Sequence, residues 1–391
     1  MEHLAALQRG PGSPGEAQAA DWLADRLRAA GCTVEVEEVD FYDGYAKLIG
    51  SLAATVTLSG LIAGRRRGRR WGGRLAALAG LAIADDVSNG PRLVRRRTAP
   101  RRTQNVVAVA GDPDAERTLV VLAHHDAAPT GLIFDDHLQT WLGERFPGIL
   151  ERMDTSLPLW WLVLAAPALV ASGAALQRRG AIRAGTALAA VSAAALADIA
   201  RSPIVPGAND NLSAVAVLVA LAERLAQSPV PGLRVLLVSC GAEEVIQGGI
   251  YGFADLHFAE LDRERTWFLV LDSIGSPRLA LVEGEGPVVM EDYHDRTFRD
   301  LVARAAETAG APLRRGMRAR NSTDAVIPHR AGYPTALLVS LNRYKAITHY
   351  HQASDTPENL HYRTLRQAVV VCEAVARELA ANPWIGPEPT A

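Results

Sequence analysis

Residues 207–244 read GANDNLSAVAVLVALAERLAQSPVPGLRVLLVSCGAEE. Gly207 to Asn211 form a glycine-flexed loop with one acidic side chain, Asp210, where the loop gives way to an apolar helix over Leu212–Ala226. A strand over Leu233–Cys240 follows and runs on into the carboxylate pair Glu243–Glu244. Helix and strand alternate, with polar clusters at the junctions. The alternation recurs on both sides, which predicts an α/β fold whose mixed, largely parallel central sheet is sandwiched by helices.

Upstream, Ser13 and Glu16 make a capping box and Pro14 suits the first helical position. Ala20, Leu23, Leu27 and Ala30 keep helical spacing until Gly31 stops it. A strand is predicted over Thr33–Val39, and two buried strands, Asn105–Ala110 and Thr118–Ala123, flank the turn G-D-P-D. The second leads into His124-His125-Asp126, and in open α/β sheets ligands gather outside the carboxyl ends of strands. Downstream, strand Trp267–Leu271 ends in Asp272, and a helix is predicted from about Asp295 to Ala309. Strand Thr335–Leu341 precedes His349-Tyr350-His351, and Leu365–Ala381 is a closing helix.

Two stretches interrupt this pattern. In the first, Leu48–Gly64 is uncharged, Arg65–Arg70 is nearly all arginine and Leu75–Ala84 is apolar again; a second basic cluster, Arg95–Arg102, follows it. In the second, Leu157–Leu176 carries no charge, Gln177–Arg183 is basic and Ala184–Ala197 is alanine-rich. Both read as apolar helical hairpins with cationic tips, inserted at about 45–100 and 140–203 into a single domain of 391 residues.

A net charge of −2 provides no electrostatic footprint for nucleic acid. Three distant cysteines, Cys32, Cys240 and Cys372, argue against a disulfide framework and suit a reducing compartment. The first residues lack a charged region followed by an apolar one, so no cleavable signal peptide is expected.

The polar clusters supply imidazoles and carboxylates, the ligands that zinc and similar divalent cations take. Two imidazoles and three carboxylates suffice for two ions if one carboxylate is shared, and Asp210 is the expected bridge. A further, uncoordinated carboxylate is then needed as a base. The tandem Glu243–Glu244 supplies one of each kind. In order and content these motifs resemble the M28 family of zinc aminopeptidases. His124-His125-Asp126 matches the family's H-x-D, Gly207–Asn211 its G-A-x-D-N, Glu243–Glu244 its E-E pair, Asp272 its strand-closing aspartate and His351–Thr356 its H-x-x-x-D-T.

The resemblance implies a zinc-exopeptidase fold and two Zn2+ ions, although the ligand set would also accept manganese or cobalt. It implies His124 and Asp272 on one ion, Glu244 and His351 on the other, Asp210 shared, and Glu243 as general base. It further implies that Asp126 orients His124 and that Tyr350 donates to the tetrahedral oxyanion. The substrate would be a peptide or small amide with a free amino terminus. Two departures stand out. Thr323-Asp324-Ala325 replaces the family's S-D-H, which bears on the substrate pocket, and a hairpin is spliced between the first histidine and the bridging aspartate.

Each residue also has a plainer reading. Asp210 alone would make a good helix N-cap, the Glu pair would serve as surface loop carboxylates, and His125 falls on the opposite strand face from His124. His349 competes with His351 but lacks the H-x-x-x-D-T spacing. The hairpins read either as membrane-associated or as a soluble cap or oligomer interface. Leu157–Leu176 has spanning length, Leu48–Gly64 is marginal, and Trp160 and Trp161 suit an interface. Membrane contact is the expectation over a soluble cytoplasmic location, with the arginine tips on the cytoplasmic side. The cap reading instead predicts hairpins that wall the cleft. Rival functions on one fold are glutaminyl cyclisation, hydrolysis of a non-peptide amide, and a non-catalytic receptor or scaffold.

Overall fold

The computed structural model describes residues 1–135, 137–146, 148 and 152–382; positions 147 and 149–151 of the predicted 140–203 insert lie outside them. Among the described residues, nine strands form one mixed sheet. They are β1 (Thr33–Phe41), β2 (Arg101–Gly111), β3 (Thr118–His124), β4 (Arg234–Cys240), β5 (Thr266–Leu271), β6 (Arg278–Glu285), β7 (Glu291–Asp292), β8 (Arg314–Ala319) and β9 (Thr335–Leu341). Their order is β1-β2-β4-β3-β5-β9-β6-β7, with β8 paired to β6. The centre, β4-β3-β5-β9, is parallel, while β1, β2 and the β9-β6 pair run antiparallel.

The central strands are apolar at successive positions because both faces are covered. Val121, Leu237, Leu269 and Leu338 pack towards α1 (Pro14–Ala29), and their neighbours Val120, Leu236, Phe268 and Leu337 pack on the other face. The first side is closed by α6 (Ser213–Gln227), α8 (Arg296–Thr308) and α9 (Tyr362–Ala381), the second by α7 (Gly248–His257).

The apolar hairpins are four helices: α2 (Tyr45–Ala63), α3 (Arg69–Val87), α4 (Leu159–Ala175) and α5 (Arg179–Ile199). α3 and α5 extend beyond their sequence-predicted stretches because flanking arginines join the helical turns, whereas α2 begins earlier, at Tyr45, and α4 is shorter at both ends. They pack as a ring, α2 against α3 and α5, α4 against α3 and α5. Small residues let the backbones approach: a Cβ on Gly60 would lie 2.0 Å from Thr186 Oγ1, and one on Gly185 would lie 2.7 Å from the Ala166 carbonyl. Gly73 abuts Ala174 and Gly50 abuts Leu196, so both arginine tips lie at one end and the sheet domain at the other. By length and composition α2 and α5 suffice to cross a membrane.

Candidate metal centre

Asp210 sits in the loop before α6, with non-helical backbone (φ −111°, ψ 91°), and α6 begins only at Ser213 with no side-chain cap. The N-cap reading is therefore wrong for this residue, because the loop turns its carboxylate away from the helix. Two segments hold it. Asn209 and Asp210 donate backbone N–H groups to the Asp355 carboxylate at 2.6 and 3.1 Å. Asn211 donates to the Leu271 carbonyl and accepts from the Ser273 N–H, both at 3.0 Å, which clamps the loop to the end of β5 beside Asp272.

Around this loop the sequence-predicted side chains converge. His124 Nε2 lies 3.3 Å from Asp210 Oδ1, and His351 Nε2 lies 3.3 Å from Asp210 Oδ2 and 3.2 Å from Glu244 Oε2. Three sets each bring ligand atoms within 4.8 Å of one another: His124, Asp210 and Asp272; Asp210, Glu244 and His351; and His124, Glu243 and Glu244. The first two share Asp210. Asp126 lies behind them, 3.2 Å from His124 Nδ1, and its two oxygens accept the N–H groups of Glu243 and Glu244 at 3.0 Å each. Thus one buried carboxylate orients the imidazole and the Glu pair together. Tyr350 stacks on His351 at 3.9 Å between ring centroids, and Phe134 packs edge-on against both.

Two histidines fall outside the cluster. His125 is buried on the other side of the strand, its Nδ1 3.0 Å from Ser239 Oγ, and burial pushes its pKa down to about 4. His349 pairs instead with Ser354 Oγ at 2.8 Å.

Burial and mutual charge set the electrostatics of the cluster. Burial alone would lower the pKa of His351, but Glu244 and Asp210 outweigh it and push it up to about 10. Burial, then Asp210, raises Asp272 to about 7, and burial holds Glu243 well above the usual carboxylate range. His351 Nε2 and Glu244 Oε1 are buried with no hydrogen-bond partner among the described residues. Buried polar atoms of this kind are normally satisfied, and unpartnered ligand atoms facing a shared carboxylate fit a divalent ion.

Sequence reasoning missed the supports. Glu16, read only as half a capping box, does donate its backbone N–H to Ser13 Oγ, but its carboxylate accepts from Gly12 N, Thr103 Oγ1 and Ala242 N, each at 2.8 Å. It therefore fixes the residue before the Glu pair. Arg9 is fully buried and donates to the carbonyls of Leu4, His125, Pro206 and Gly207, joining the loops of His125 and Asp210. Asp355 was within reach of the motif reading, since it is the aspartate of H-x-x-x-D-T. Asp324 is buried with neither oxygen hydrogen-bonded, and the T-D-A departure marked its neighbourhood.

The cluster opens into a cavity of about 500 Å³, lined on one side by Asp210, Glu243, Glu244, Asp272, Tyr350 and His351. The opposite wall comes from α4 and α5, including Trp160, Val163, Ala195 and Leu196.

The model of peptidase family M28 matches residues 191–376. No curated protein matches the chain in sequence. Solved structures share its fold. An aminopeptidase from Legionella pneumophila, LapA, is 13% identical with a TM-score of 0.53, over 97% of this chain and 69% of its own. A Zn-dependent exopeptidase from Parabacteroides distasonis is 14% identical with a TM-score of 0.53, over 96% and 94%. A glutaminyl cyclase from Bacteroides thetaiotaomicron is 14% identical with a TM-score of 0.56, over 94% and 91%. The family match starts within α5, downstream of the hairpin that separates His124 from Asp210. The match to peptidase family M28 covers the stretch, residues 191–376, that carries Asp210, Glu243, Glu244, Asp272 and His351.

Proposed function

We propose that the protein is a metallo-aminopeptidase that hydrolyses the first peptide bond of a substrate with a free amino terminus. The observation that carries this reading is the Asp210 carboxylate, one oxygen 3.3 Å from His124 and the other 3.3 Å from His351. His124 and Asp272 would hold one ion, Glu244 and His351 the second, and Asp210 both. Zinc is the proposed metal, because borderline imidazole and carboxylate ligands suit it and a solved structure of the same fold is described as Zn-dependent. Two divalent ions so held would polarise the scissile carbonyl and lower the pKa of water.

The chain's own residues do the rest. Glu243 takes a proton from the attacking water and returns it to the leaving amine, the general-base role open to a carboxylate that Gln247 Nε2 positions at 2.8 Å. Asp126 fixes the His124 ring and the Glu pair, and Tyr350 donates to the oxyanion. Metal counting on the purified protein, combined with aminoacyl anilide hydrolysis, tests the reading. Metal-loaded protein that leaves anilides intact but releases ammonia from an N-terminal glutaminyl peptide would replace hydrolysis with cyclisation.

The bundle supports membrane insertion. Charges on α2–α5 are confined to the two ends: Arg69, Arg70, Arg74, Arg179 and Arg183 near the tips, Lys47, Asp85, Asp86 and Asp198 near the sheet domain. Small residues fill the helix contacts while leucines face outwards, Leu78 and Leu81 at 63% and 68% exposed, the pattern of helices packed in lipid. The tips would lie in an anionic headgroup layer and the metal centre at the opposite surface. Extraction by alkaline carbonate without detergent would refute insertion.

A further inference from the structure

The cavity does not stop at the metal cluster. One face of α5 lines it at Leu188, Val191, Ser192, Ala195, Leu196 and Ile199, the helical spacing of a single stripe. Eleven residues at 1.5 Å each carry this wall about 16 Å along the bundle, from the metal end to the middle of α5. Leu159, Trp160, Leu162 and Val163 of α4 form the facing wall.

The chemistry of these walls selects the occupant. An extended peptide would bring an N–H and a C=O per residue, each needing a partner once out of water. The backbones of α4 and α5 are committed to their own helices. The one polar side chain on the stripe, Ser192, donates to the Leu188 carbonyl at 2.9 Å. A hydrocarbon chain makes no such demand. Val191 and Leu162 are 66% and 56% exposed while lining the groove, so an apolar chain entering it would cover surface that is now open.

Resting on the amide-hydrolase reading, we infer that the α4–α5 groove is a subsite for the hydrocarbon chain of an amphiphilic amide substrate, whose polar, amino-terminal end reaches the metals. The substrate class is an aminoacyl or peptidyl amide bearing a lipid-like chain. A bilayer lipid tail resting in the groove is the competing occupant.

The test uses the full chain, metal-loaded, in nanodiscs, with leucyl n-alkylamides. Each methylene accommodated in the groove should raise kcat/KM about two- to fourfold, so the octyl to butyl ratio should reach roughly 16 or more. Ala195→Phe, which fills the groove with an apolar group, should bring that ratio to within about threefold of unity. An ω-bromo-octylamide should also quench a fluorescence component that Trp160→Phe removes, whether or not the amide is cleaved. A ratio near one in the wild type, a ratio untouched by Ala195→Phe, or quenching that does not involve Trp160 would overturn the subsite and leave a lipid tail as occupant. Failure to cleave even the butyl amide, with Trp160 quenching intact, would instead overturn the hydrolase reading and retain the groove.

Discussion

Replacing Glu243 by glutamine separates proton transfer from every other property of the centre. The two side chains have one shape, and the amide oxygen can still accept from Gln247 Nε2, at 2.8 Å in the native protein. Gln247 is itself held, accepting from Asn89 at 2.8 Å and donating to the Ser322 carbonyl at 3.0 Å, so the substituted side chain has no reason to swing. What disappears is basicity. General-base catalysis contributes 10²–10⁴-fold, or about 2.7–5.4 kcal/mol of barrier, and that loss should fall on kcat with KM little changed. Stability should move the other way. Burial holds the Glu243 carboxyl well above its usual range, and Asp324, Glu244 and Asp272 push it further against the opposing His124. A neutral amide at this position therefore should not lower the thermal midpoint of the metal-free protein. The assay is steady-state anilide hydrolysis by Glu243→Gln with elemental analysis of the same sample. Wild-type turnover at full metal content would remove Glu243 as the base. Loss of metal would reassign it as a ligand, through the set it forms with His124 and Glu244.

Asp210→Asn should reduce bound metal, and two tightly held equivalents in that variant would refute the bridge. Chelation should lower the thermal midpoint, since ligand at 100 times its Kd contributes about 2.7 kcal/mol per site; an unchanged midpoint would mean that the cluster holds no ion. Glu16→Ala strips the acceptor from two backbone N–H groups and Thr103, and should cost about 2–4 kcal/mol in denaturant unfolding. It should also depress kcat through the Ala242–Glu243 backbone, and a variant with wild-type stability would show that water replaces those bonds. Gly185→Leu would drive a side chain onto the Ala166 carbonyl, Leu169 and Val170, separating α4 from α5 at a cost of about 1–3 kcal/mol. Chemical unfolding of the bundle reads this, and tolerance would argue against close helix packing there.

The sheet was legible because its information is local. Val235 to Val238 and Leu119 to Ala123 are apolar without a break, which only a strand covered on both faces requires, and polar residues mark where each strand meets solvent or ligand. His124, Asp272 and the Glu pair stand at such ends, so a motif reading could name the residues that the fold brings together. Arg9 and Glu16 stand at no such end. Arg9 reaches a carbonyl 198 residues away and Glu16 an amide 226 residues away, and neither bond leaves a periodic trace in its own segment. A buried guanidinium or carboxylate is recognisable only from what surrounds it. The hairpins pose the opposite difficulty, since a run such as Leu75–Ala84 is equally apolar whether its leucines face protein or lipid. Only assembly orients the run: Ala76, Ala79 and Ile83 face the other helices while Leu75, Leu78 and Leu81 face outwards. A soluble cap would place its larger apolar residues inside. In this helix the inward positions are mostly small, Gly72, Gly73, Ala76 and Ala79 beside Ile83, and the leucines lie outside, an arrangement that fits the proposed insertion because water penalises it and a hydrocarbon solvent does not.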